Sequence, residues 1–262
     1  MGVPIPEGVE PFLTALRRRE TYLGYAREAL SLATCAARYP FGLGNPVVRT
    51  GRPSGDILHD TPVLLVHGFG HNRSGWFVLD QYLRDAGFTS VHTMNYDPFR
   101  HDVPELAEML RDRVEELCAI TGSAKVNVVG HSLGGILLRW YVQELGGDTR
   151  VDHAITVASP HEGTRLARPS RRSRIAGELA PNSWLQQRLH RSARLTTVKW
   201  TAFYSNLDLL VQPNGSAMIR HPALHATNVL VKDLGHLSIM LSTRVADGII
   251  GALSASTISA AS

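Results

Sequence analysis

Lysine is almost missing from this chain. Lys125, Lys199 and Lys232 are the whole set in 262 residues, so the formal net charge of +4 is carried by arginine. An arginine bias follows genomic base composition as readily as function and names no partner by itself. No basic stretch is interleaved with aromatics and no nucleic-acid-binding motif occurs, so nucleic acid is not an expected partner. Cysteine is equally scarce. Cys35 and Cys118 lie far apart and fit neither a CxxC metal pattern nor a disulfide framework, so two buried thiols are expected rather than a bridge. No apolar run reaches roughly 18 residues, which argues against a membrane-spanning helix. The opening MGVPIPEGVEPF lacks the charged start and apolar core of a signal peptide. The expected location is therefore the cytoplasm, with secretion or a processed start left open. There is no internal repeat.

What is present is enough apolar material, 44% of residues, to bury a large core. In residues 9–39, Phe12, Leu16, Leu23, Ala26 and Leu30 recur near helical spacing, predicting one amphipathic helix, or two divided near Gly24. Gly- and Pro-rich residues follow, so 1–57 reads as a helical extension with its linker, docked on the remainder. From residue 58 to 262 the chain alternates short β-prone runs (PVLLVHG, SVHTMNY, KVNVVGH, HAITVAS, TTVKWTAFYS, TNVLVKD) with helical ones (SGWFVLDQYLRDAG, VPELAEMLRDRVEELCAIT, LGGILLRWYVQELGG, SIMLSTRVADGIIGAL). Continuous apolar strands between helices predict an α/β fold, a mainly parallel sheet covered on both faces. Residues 162–197 break the rhythm with an arginine cluster from Arg165 to Arg174 and a short helical piece around Trp184. They read as a lid-like insertion or a solvated surface loop.

One stretch carries chemistry. VNVVGHSLGGILL sets Gly-His-Ser-Leu-Gly between a predicted strand and a predicted helix, the context that makes G-x-S-x-G informative. Gly130 and Gly134 give room for a tight turn, which forces Ser132 into an uncommon backbone conformation with its hydroxyl exposed. A serine hydroxyl needs a base, and the base needs an orienting acid. On such an elbow the acid and then the histidine follow in chain order. His236, in the loop of VLVKDLGHLSIM, is the favoured base. Asp208, just past the strand WTAFYS, is the favoured acid, with Asp233 and Glu162 as alternatives. The amide of Leu133, next to the nucleophile, and that of Phe69, in the HGFG loop after the first core strand, are the expected oxyanion donors. His67, His131 and His161 are read as supports of their loops. Phe69, Trp76, Phe77, Trp184 and Leu209 are the candidate lining for an acyl chain.

The order HGFG, GHSLGG, ASPHEGT, YSNLDLLV and DLGH resembles the bacterial lipase and esterase branch of the α/β-hydrolase superfamily, closest to small triacylglycerol lipases with minimal lids. The resemblance covers roughly residues 60–255. It implies an α/β-hydrolase fold and a cofactor-free, metal-free serine esterase. Ser132, Asp208 and His236 form its triad, and Phe69 and Leu133 its oxyanion hole. The expected partner is a small-molecule ester or lipid, and the arginine-rich insertion suits peripheral contact with an anionic lipid surface. The same triad would also serve acyl transfer or thioester hydrolysis. A non-catalytic binding protein is disfavoured, because every expected position holds a competent residue.

Overall fold

The run VLLV forms β1 (Val63–Val66) and is buried at every position, as a strand covered on both faces must be. It is joined by β2 (Val91–Met94), β3 (Val126–His131), β4 (Val151–Val157), β5 (Lys199–Ser205) and β6 (Thr227–Val231). The order across the sheet is β2-β1-β3-β4-β5-β6, and each neighbouring pair is parallel. This computed structural model describes residues 19–44, 61–167 and 174–260. Its helices are α1 (Arg19–Arg38), α2 (Phe77–Asp85), α3 (Val103–Thr121), α4 (Leu133–Glu144), α5 (Arg174–Glu178), α6 (Trp184–Arg191) and α7 (Thr243–Ala260).

Alternation along the strands divides the core in two. Leu64, Val128 and Ala202 pack with Leu106 and Leu110 of α3 and Leu137 of α4 on one face. Val63, Leu65 and Phe203 pack with Leu79 of α2 and Ile249 of α7 on the other. Cys118 belongs to the first cluster and Cys35 to the second, so both thiols are free, buried and separated by the sheet.

The helix ends follow local chemistry. α3 opens on a capping box in which the Glu105 amide donates to the Asp102 carboxylate at 3.1 Å and the Asp102 amide donates to Glu105 at 3.0 Å. It closes on Gly122, whose φ of 71° is left-handed. The last helix begins at Thr243, later than its apolar pattern suggests. Residues just before it spend their amides elsewhere: Gly235 donates to the Ser238 hydroxyl, and Leu237 and Ser238 donate to Glu28.

α1 departs most from expectation. It runs unbroken through Gly24, and residues 9–18, with Phe12 and Leu16, lie outside the described residues. The stripe that periodicity selects faces outward, with Leu23 46% and Leu30 69% exposed. The buried face is Thr21, Gly24, Ser31 and Cys35, with Glu28 half-buried between them. A Cβ on Gly24 would lie 2.4 Å from Leu207 Cδ1 and 3.2 Å from the Asp233 carbonyl oxygen, so the helix backbone comes close to both residues here. Of the 162–197 stretch, residues 168–173 lie outside the described set; Ile175, Leu179, Leu185 and Leu189 are buried in the α3/α4-side cluster.

Candidate active site

β3 ends at His131 and α4 begins at Leu133, which leaves Ser132 alone at the corner with φ 52° and ψ −118°. A residue bearing a Cβ holds that conformation only when its surroundings enforce it. Here they do. The Ser132 amide donates to the Val157 carbonyl at 2.8 Å, and the Gly135 amide donates to the Ser132 carbonyl at 3.1 Å. A Cβ on Gly130 would come within 2.5 Å of the Gly134 backbone, and one on Gly134 within 2.3 Å of the Val66 carbonyl oxygen. β1, β3 and α4 therefore cross at a density that admits only hydrogen at those two positions.

The loop after β6 brings His236 to Asp208. Its Nδ1 lies 2.8 Å from Asp208 Oδ2, with the two side chains 6% and 2% exposed. A carboxylate only accepts, so Nδ1 carries the proton and Nε2 of the neutral ring keeps a free lone pair. The other carboxylate oxygen accepts the amides of Leu210 at 2.8 Å and Val211 at 2.9 Å. Asn214 Nδ2 donates to the Asp208 carbonyl at 2.6 Å, and the Gln212 side chain donates to the same oxygen. The alternative acids lie elsewhere. Glu162 is ion-paired with Arg220, and Asp233 sits past the end of β6 with a left-handed φ of 67°.

Three further histidines frame the corner. His131 Nε2 lies 2.9 Å from the His236 carbonyl oxygen, so Nε2 is the protonated nitrogen, and Nδ1 is buried without a partner. Burial, and then the neighbouring His236, push its pKa well below the usual 6.5, so the ring is neutral. His67 donates from Nδ1 to the Gly68 carbonyl at 2.9 Å and accepts the Tyr96 amide on Nε2 at 3.4 Å. It also stacks on the Tyr96 ring at 4.2 Å, and burial lowers its pKa to about 4. His161 Nε2 contacts the Thr156 hydroxyl at 3.0 Å.

The HGFG loop runs directly against the corner. A Cβ on Gly68 would lie 2.9 Å from both His131 Nδ1 and Ser132 Cβ, so the backbone leading into Phe69 passes beside the serine. Leu133 opens α4, and its amide is among the helix-start donors that have no acceptor within the helix.

Ser132 and His236 open on one pocket of about 760 Å³, walled by Ile175, Leu179, Leu209 and Val211 and edged by Phe69 and Leu32. Two of the five residues expected to line it, Phe69 and Leu209, do so. The other three do not, which corrects the reading. Trp76 is 1% exposed in the α2/α7-side core, edge-on to His131. Phe77 is covered by the Arg38 guanidinium, 3.9 Å from its ring centroid. Trp184, at the start of α6, packs against Trp140 with centroids 5.7 Å apart. Sequence reasoning missed the wall supplied by α1, namely Tyr25, Glu28, Ala29 and Leu32. Their spacing of three, four and seven marks one helix face, but no motif flags it. Among the described residues, no three His, Cys, Asp or Glu side chains gather where they could hold a metal ion, and no helix is long and apolar enough to cross a membrane.

Comparison with known proteins gives a consistent picture. Residues 61–179 match the family model of the alpha/beta hydrolase fold. A triacylglycerol lipase of Pseudarthrobacter phenanthrenivorans is 32% identical over 114 residues, which are 40% of this chain and 35% of that protein. The chain thus spans about a third of the length of that curated relative. The mature form of the Bacillus licheniformis lipase BlEst2 superposes with a TM-score of 0.68 at 17% identity, covering 80% of this chain and 99% of the other. Aspergillus fumigatus lipase B gives 0.68 at 19% identity, covering 80% and 56%. The likeness to lipases and esterases read from the motifs is borne out.

Proposed function

The chain has the α/β-hydrolase fold, and on it we propose a serine carboxylic-ester hydrolase that acts on aliphatic or lipid esters through an acyl-enzyme. The observation that carries the reading is the 2.8 Å contact between His236 Nδ1 and Asp208 Oδ2, with His236 and Ser132 lining the same apolar pocket. Asp208 fixes the ring with Nδ1–H inward, which leaves Nε2 to take the Ser132 proton as Oγ attacks the ester carbonyl. The amides of Leu133 and Phe69 receive the developing oxyanion, where preorganised donors act most strongly. His236 returns the proton to the leaving alcohol. Water then repeats the cycle and releases the acid.

The pocket favours an aliphatic acyl chain. Its walls are mostly apolar, and exposed Leu32, Phe69, Leu166, Leu209 and Leu210 surround its opening, which suits contact with a lipid surface. The test is a panel of p-nitrophenyl esters from acetate to palmitate beside an emulsified triglyceride, with fluorophosphonate labelling. Labelling at Ser132, and its loss with activity in Ser132→Ala, is the expected result. An active Ser132→Ala variant, or a wild-type serine that does not label, overturns the reading.

A further inference from the structure

The base of the proposed site is held from outside the sheet by α1. Glu28 Oε1 accepts the Leu237 amide and Oε2 the Ser238 amide, each at 2.8 Å. One carboxylate thus clamps the two residues that follow His236. The fit leaves no slack, since a Cβ on Gly235 would lie 2.4 Å from the Glu28 carboxyl carbon. One turn earlier on the same helix face, Gly24 sits against Leu207 and the Asp233 carbonyl. α1 therefore touches both loops of the proposed pair: the β5 loop beside Asp208 and the β6 loop on either side of His236.

We infer that Glu28 is a positioning residue for His236, which makes α1 part of the active site; this rests on the ester-hydrolase reading above. Two backbone N–H groups that donate to one carboxylate make charge-assisted bonds. Those bonds fix the peptide planes from which the imidazole projects. On its other side the His236 segment is fixed by His131 at its carbonyl and Asp208 at its ring. Removing Glu28 leaves those restraints, together with the Gly235 amide on the Ser238 hydroxyl and the Ile239 amide on the Gly235 carbonyl, and frees the amides at 237 and 238. The ring then samples a wider range of positions, and Nε2 is less often placed to take the Ser132 proton. Misplacement on the scale of one ångström costs up to about a hundredfold in rate.

The experiment compares Glu28→Ala, Glu28→Gln and Cys35→Ala with the wild type. Cys35 lies two turns further along the same buried face of α1, in the apolar cluster that also holds Leu234 and Ile239, so its truncation loosens the packing of α1 while the Glu28 carboxylate keeps its bonds to the 237 and 238 amides. In Glu28→Ala, kcat on p-nitrophenyl butyrate and the fluorophosphonate labelling rate are expected to fall together, roughly 10- to 100-fold, while KM stays within about twofold. Glu28→Gln keeps one acceptor oxygen and is expected to fall less. Cys35→Ala is expected to lower Tm and keep kcat. The downfield Nδ1–H proton signal of His236 is expected to be sharp in the wild type and to broaden in Glu28→Ala, whether or not esters are turned over. Hence loss of the hydrolase reading and loss of this one are separable. Wild-type kcat, labelling and proton signal in a folded Glu28→Ala variant overturn the assignment, as does an equal kcat loss in Cys35→Ala.

Discussion

The carbonyl oxygen of His236 lies 2.9 Å from Nε2 of His131, the residue immediately before Ser132. The corner at Ser132 thus holds the backbone of His236, whose ring lies 4.7 Å from that of His131. A neutral His131 donates that bond with no charge to bury, and burial holds its pKa well below 6.5. Replacing His131 by Ala strands a buried carbonyl, at about 1–3 kcal/mol, and leaves a void under the ring. The expected result is a lower urea midpoint together with a labelling rate reduced roughly tenfold by displacement of the histidine. If His131→Ala labels at the wild-type rate, the contact serves stability alone.

The acid assignment is open to direct comparison. Asp208→Asn keeps size and most hydrogen bonds, yet it lets the amide oppose Nδ1–H of His236 and favours the wrong tautomer. The expected loss in kcat is on the order of 10⁴-fold. Glu162→Gln breaks only the ion pair with Arg220, and Asp233→Asn alters a residue at the end of β6. Both are expected to stay within about threefold of the wild type, because surface pairs contribute little. Steady-state kinetics on one ester ranks all three, and a larger loss at Glu162 or Asp233 would move the acid there.

Much of this architecture was legible because the strands are buried on both faces. Runs such as VLLV leave no other use for so many apolar residues. The corner at Ser132 was legible because only glycine satisfies the approach of Gly134 to the Val66 carbonyl. α1 was misread for a physical reason. Its docking face is made of Thr21, Gly24, Ser31 and Cys35, with Glu28 bonded to two amides, and hydrophobic periodicity is blind to a helix held by a carboxylate and a close backbone approach. The apolar residues that periodicity did find, Leu23 and Leu30, remain exposed. Trp76, Phe77 and Trp184 misled for a related reason: their aromatic character is spent on the core, on Arg38 and on Trp140. The real walls come from α1, α5 and the loop after β5, and α1 and α5 lie more than a hundred residues apart in sequence.

Buried histidines make the fold acid-sensitive. Burial lowers the pKa of His67 to about 4 and holds those of His131 and His161 well below 6.5. In the unfolded chain each titrates near 6.5. Below that pH the unfolded state binds protons that the folded state refuses, so stability is full above about pH 6.5 and is lost as pH falls below it, for His67 down to about 4. Each such group contributes a slope of about 1.4 kcal/mol per pH unit within that window. Urea midpoints at pH 7.5, 6 and 5 should fall steadily. A flat series would mean that these rings take up protons without unfolding.

The pocket wall offers a last discrimination. Ala176 of α5 lines the cavity together with Leu179 and with Phe69 of the HGFG loop. An indole there occupies volume that an acyl chain would otherwise fill, and a filled apolar site rejects extra methylenes at about 1–3 kcal/mol. Ala176→Trp is therefore expected to keep hydrolysis of acetate and butyrate esters and to lose at least tenfold on laurate and palmitate esters. Trp184→Ala removes an aromatic that packs on Trp140 outside the cavity, so it should lower Tm while leaving the chain-length profile in place. If Trp184→Ala shifts the profile and Ala176→Trp does not, the acyl chain runs past α6 and the cavity above Ser132 serves the alcohol instead.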